Sequence, residues 1–89
     1  MADFYIRHLN GERTSNRDYE YDEQKMLGAV LRPGDRTLQL GGNVGTSCIY
    51  ASALHPDLGY NICVEPSDEV LPLLRRNIEE NGMSGKVEV

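Results

Sequence analysis

Eighty-nine residues leave room for one small domain with little core to spare, and nothing in the composition departs from that of an ordinary globular chain. The net charge of −5 is spread over both halves and the nine basic residues form no stripe, which excludes nucleic acid as a scaffold-wide partner. No apolar run approaches a membrane span, Met1-Ala2-Asp3 opens no basic-then-apolar leader, and Cys48 and Cys63 lack both a C-x-x-C spacing and a histidine companion. The two cysteines therefore read as reduced core residues of a cytoplasmic protein, and no metal site is expected.

In chain order, Phe4 and Ile6 alternate with Tyr5 and Arg7 as in a short strand, and Asn10-Gly11 is a turn signal. Residues 1–18 thus form a strand or hairpin, or a mobile segment, since Gly11 to Arg17 is polar. His8 has no carboxylate or cysteine near it in sequence and reads as a surface or strand histidine. From about Asp22 to Leu31, Met26, Leu27, Val30 and Leu31 recur at helical spacing, with Asp22 and Glu23 in the first turn where the helix dipole favours acids. Arg32-Pro33-Gly34-Asp35 ends that helix. A strand follows over 37–40, then a helix over 44–54 whose apolar face is Val44, Cys48, Ile49, Ala51 and Ala53. His55-Pro56-Asp57-Leu58-Gly59 breaks it. Tyr60 to Val64 is a run interrupted only by Asn61, the pattern of a parallel strand covered on both faces. Such a crossover is right-handed in nearly all cases. Ser67 or Asp68 can cap the next helix, which starts near Asp68 or Glu69, buries Leu71, Leu74 and Ile78, and stops at Asn81-Gly82. A third strand is expected over 86–89.

The stretch that carries chemistry is Leu38-Gln39-Leu40-Gly41-Gly42-Asn43-Val44-Gly45-Thr46, with Glu65 at the end of the next strand. A glycine turn between a strand and a helix lets a ligand approach backbone N–H groups. An acid about twenty residues on, at the next strand tip, is placed to accept hydrogen bonds from ribose hydroxyls. From Gly41, the first, third and sixth places hold Gly41, Asn43 and Thr46, so the dinucleotide fingerprint is not met. No Gly-Lys-Ser/Thr of a triphosphate loop is present either. A structural turn followed by a surface glutamate would use the same residues. Asp57, His55 and Asp68 have turn or cap roles, and no catalytic residue is assigned.

At these residues the chain resembles S-adenosylmethionine-dependent methyltransferases, and its Gly-Gly-Asn-Val-Gly form is most similar to the FkbM-type group. Pro33-Gly34-Asp35, Val64-Glu65-Pro66-Ser67 and Asn77 through Gly82 extend the resemblance over about residues 19–89. It implies the N-terminal, cofactor-binding half of a Rossmann-like three-layer α/β methyltransferase fold, with parallel strands in order 3-2-1 and flanking helices. S-adenosylmethionine would lie on Gln39, Gly41, Gly42, Asn43, Gly45 and Thr46, with Glu65 on the ribose and Pro66 and Ser67 beside the adenine. Gln39 stands where the family usually has an acid. In the resembled family residues such as Tyr19 and Glu20 can approach the ligand, but by their place ahead of a helix they read first as solvated helix-end residues. The methyl acceptor would be an oxygen of a small molecule or sugar, and the acceptor pocket and base would come from chain beyond Val89, so this segment alone is expected to be inactive. The edge of the 37–40 strand would then be paired with a second copy in a homo-oligomer, or with a missing C-terminal segment. A non-catalytic nucleoside- or protein-binding α/β module, or an inactive relic, is the alternative.

Overall fold

The computed structural model describes residues 3–89. In chain order the elements are strands β1 (Tyr5–Arg7) and β2 (Arg13–Ser15), a 3-10 turn (Asn16–Asp18), helix α1 (Tyr21–Val30), strand β3 (Arg36–Leu40), helix α2 (Thr46–Leu54), strand β4 (Tyr60–Val64) and helix α3 (Leu71–Glu80). The strands form two separate two-stranded sheets, β1 antiparallel to β2 and β3 parallel to β4. Within the polar stretch Gly11 to Arg17, Arg13–Ser15 form β2 against β1 and Asn16 is buried.

The expected three-stranded, three-layer Rossmann-like methyltransferase half is not what forms. Residues 86–89 contribute a single parallel bridge, Ile62 to Glu88. The N–H groups of Lys86 and Val87 are both taken by Met83 O in a turn (2.9 Å each), which leaves only Glu88 extended enough to reach β4. The β3–β4 sheet is also covered on one face only. Thr37, Gln39, Asn61 and Cys63 face the helices, while Leu38, Leu40, Tyr60 and Val64 stand exposed on the other side. The apolar run of β4 therefore does not mark a strand covered on both faces.

The core lies between the covered face, α2, α3 and the hairpin, with Ile6, Ile49 and Leu74 wholly buried in it. Asn61, the polar break in β4, is buried there without penalty. Its Nδ2 donates to Cys48 O and to Ser52 Oγ (2.7 Å each), and its Oδ1 accepts from Thr37 Oγ1 (2.9 Å). Asn77 of α3 clamps the hairpin in the same way, accepting from Arg7 N–H (2.9 Å) and donating to Arg7 O (2.9 Å) and Val44 O (2.7 Å). On α1 the apolar spacing misleads: Met26 and Val30 are exposed, Leu27 is half-buried, and Gln24 is buried instead. The Gln24 amide joins Asn16 Nδ2, Asn16 O and Tyr19 O, satisfying the backbone where the chain turns into α1 (2.8 Å each).

Cys48 and Cys63, expected as reduced thiols, are joined in a disulfide between α2 and β4, with Cα atoms 6.3 Å apart. Both are fully buried. The physical reason is the parallel register, which sets Cys63 on the covered face directly beneath α2. Disulfides persist mainly in oxidising compartments, so the pair removes the ground on which a cytoplasmic setting was expected. Among the described residues no helix is long and apolar enough to cross a membrane.

Candidate functional site

The site is built where β3 and β4 end side by side. After Leu40 the backbone enters the left-handed region at Gly41 (φ 73°), again at Asn43 (φ 51°) and at Gly45 (φ 100°), which caps α2. Gly42 N–H donates to Val64 O (2.8 Å) and so ties the turn to the tip of β4. Gly42 also has no space for a side chain, because a Cβ there would overlap Cys63 Sγ. The disulfide is thus the floor of the turn.

Glu65 follows β4 and is held from two sides. Its Oε1 accepts from Asn43 N–H (2.8 Å) and its Oε2 from Ser67 N–H (2.9 Å). Each carboxylate oxygen keeps a further lone pair. Ser67 Oγ accepts from Val70 N–H (3.4 Å), so the serine starts the turn that leads into α3. Asn43, in turn, forms one wall of a cleft of about 280 Å³ lined also by Glu20, Glu23, Gln39, Ser47 and the glycines Gly41 and Gly42. Among the described residues that line it there is no lysine or arginine.

The electrostatics of the cleft are acidic. Glu20, in the left-handed conformation ahead of α1 (φ 53°), has its carboxyl held above the usual range by loss of solvent and then by the charge of Glu23 one helical turn on. The Tyr19 phenol is pushed up by burial first and by the Glu20 carboxylate second, while a hydrogen bond with Asn43 acts the other way. Tyr19, Glu20, Glu23 and Asn43 therefore share one small volume.

Of the residues expected to hold a cofactor, Gln39, Gly41, Gly42 and Asn43 border the cleft, and Asn43, Glu65 and Ser67 are linked by hydrogen bonds. Pro66 is exposed between them. Gly45 and Thr46 are buried at the start of α2, with Gly45 close against Leu74, and present no side chain to the cleft. Among the described residues, the buried Gln39 Nε2 and Thr46 Oγ1 of this region have no hydrogen-bond partner. Glu23 and Ser47, which also line the cleft, were not expected among the ligand-holding residues. Glu23 could have been, since it lies three residues from Glu20 and so on the same side of the helix start. Another cleft, about 300 Å³, lies at the amino end of β4 among Ser52, Tyr60, Asn61 and Lys86. Ligands of parallel sheets bind at the carboxyl ends of the strands, which favours the acidic cleft. Among the described residues, no group of three histidine, cysteine or acidic side chains could hold a metal ion.

Neither protein-family models, nor curated proteins, nor solved structures give a match to this chain.

Proposed function

We propose that the acidic cleft and Glu65 bind S-adenosylmethionine, and that the chain is the donor-binding part of a methyltransferase of the FkbM type. The observation that carries this reading is the Glu65 carboxylate, fixed by Asn43 N–H and Ser67 N–H beside a cleft that holds two more carboxylates and no cation. The chemistry of that donor set fits the ligand's two recognisable ends. Glu65 has lone pairs left for a ribose 2′- and 3′-hydroxyl, and the pre-existing N–H contacts hold it still for them. Glu20 and Glu23 attract positive charge, which a sulfonium and an ammonium group supply and a phosphate does not. A phosphorylated nucleotide would meet three carboxylates here without a lysine or arginine to offset them.

When bound, S-adenosylmethionine supplies a methyl group on a positively charged sulfur. The part of this chain is to bind and orient: the Gly41–Asn43 backbone lies along the cleft wall, Glu65 fixes the ribose, and Glu20 and Glu23 at the start of α1 face the sulfonium and ammonium groups. Positioning of this kind supplies much of the acceleration in a group transfer.

The test is calorimetric titration with S-adenosylmethionine and with its demethylated product. Glu65→Ala is expected to weaken both by about tenfold to a hundredfold, the usual value of charge-assisted hydrogen bonds. Equal affinity for wild type and variant would take Glu65 out of the site, and no binding by the wild type would end the reading.

A pH series separates the two acidic parts. The raised Glu20 carboxyl takes up its proton before ordinary surface carboxylates do as pH falls from neutral. Affinity for the cationic donor is therefore expected to drop over that interval, and Glu20→Gln should remove the drop. The same raised value has the opposite sign for folding: stability from this group is present at acid pH and is lost as pH rises through its folded pKa. Affinity that stays flat in the wild type down to about pH 4 would place the cation elsewhere.

A further inference from the structure

We infer that the outer edge of β3 pairs with the same edge of a second copy, antiparallel about a two-fold axis through Leu38. The inference is independent of the ligand reading and starts from the hydrogen bonds of β4. Cys63 N–H donates to Glu88 O and Asn61 O accepts from Glu88 N–H, so these two residues turn their backbone toward residue 88. Parallel pairing of β4 to β3, with Ile62 opposite Leu38, must then run through Tyr60, Ile62 and Val64 on β4 and through Thr37 and Gln39 on β3. The N–H and C=O groups of Arg36, Leu38 and Leu40 are left pointing outward. Among the described residues β3 pairs with β4 alone, and no other segment takes the backbone groups of Arg36, Leu38 or Leu40; Leu38 and Leu40 are also 63% and 78% exposed on the open face. Beyond its shortness the edge has little protection, since it carries no proline, no bulge and no inward charge.

The occupant follows from the edge's own sequence. A two-fold at Leu38 sets Leu38 against Leu38 as a hydrogen-bonded pair, and Arg36 of each copy against Leu40 of the other. The two arginines are then at opposite ends, whereas parallel pairing would stack them on each other. The same register puts Gln39 opposite Thr37 in a non-hydrogen-bonded pair, where side chains come closest. Gln39 Nε2 has no partner among the described residues of its own chain. Thr37 Oγ1 gives its proton to Asn61 Oδ1 and keeps a lone pair. A turn about the Gln39 side-chain bonds brings donor to acceptor twice across the axis. The exposed row of Leu38, Leu40, Tyr60 and Val64 becomes continuous over four strands, an isologous contact that closes on itself.

Sedimentation equilibrium at micromolar concentration is expected to give twice the 10.0 kDa of one chain. Amide exchange should be slowed at Leu38 and Leu40, and this protection should fade on dilution. Leu38→Lys brings like charges together at the axis while leaving the core alone, so it should return the mass to one chain with an unchanged circular dichroism spectrum. A wild type that stays monomeric with freely exchanging Leu38 and Leu40 amides overturns the proposal. So does a dimer that survives Leu38→Lys, or growth beyond two chains. Should the variant not fold, the exchange pattern of the wild type decides alone.

Discussion

Asn77→Ala is expected to destabilise the fold by about 3–5 kcal/mol, most of what a small domain has. The side chain is buried and makes three hydrogen bonds, all to backbone groups of other segments. Alanine would leave Arg7 N–H, Arg7 O and Val44 O without their partner. Val44 is buried, so its carbonyl has no ready access to water, and each unsatisfied group costs about 1–3 kcal/mol. Arg7 is half-buried and recovers part of its share from solvent. Urea denaturation measures the effect as a fall in midpoint at similar slope. Asn81→Ala is the control. Its exposed bond to Tyr5 O (2.9 Å) touches the same hairpin, yet its loss should cost well under about 1 kcal/mol. Equal midpoints for the two variants would mean that Asn77 does not hold the hairpin.

The second large effect is expected from the disulfide. Cys48 and Cys63 are 15 residues apart, and a cross-link over a loop of that size stabilises by about 3 kcal/mol through the unfolded chain. For a domain of this length that corresponds to roughly 12–24 °C in melting temperature. Replacing both cysteines by alanine should produce a loss of that order, read by scanning calorimetry. Because Gly42 lies against Cys63, the glycine turn should lose order as well, which backbone amide exchange at Gly42 and Asn43 would report. Thiol titration of the unreduced, denatured wild type should find no free thiol. Two titratable thiols, or an unchanged melting temperature in the double variant, would rule the cross-link out.

What the sequence made legible was local. Leu38 and Leu40 with the glycines after them mark a strand entering a turn, because glycine alone takes the backbone angles of Gly41 and Gly45 at no steric cost. Asn81-Gly82 ends α3 for the same reason, with Gly82 at φ 69°. What stayed hidden depends on contacts distant in sequence. The spacing of Cys48 and Cys63 has no motif, and only the parallel register brings them together. Met26 and Val30 have helical spacing but face away, since the start of α1 is fixed by Gln24 and Asn16 rather than by an apolar stripe. The third strand failed because Met83 O captures Lys86 and Val87, a turn that Ser84-Gly85 allows but apolar patterning does not register. At the site, the distance from the glycine turn to Glu65 was readable. That Asn43 N–H of the turn, together with Ser67 N–H, would take hold of the carboxylate was not.

The clamp between the hairpin and α3 also sets the order of events in folding. Arg7 and Asn77 are 70 residues apart, and closing so long a loop carries an entropic cost that local contacts do not. Between them, α1, β3, α2 and β4 meet neighbours close in sequence and can assemble early. The two strands of the hairpin are three residues each and too short to persist alone. During synthesis at about 5–20 residues per second, the hairpin waits roughly 4–14 s for the asparagine that will hold it. Through that interval the hairpin lacks its hold on α3, so Phe4 and Ile6, made well before Asn77, are fastened only after it.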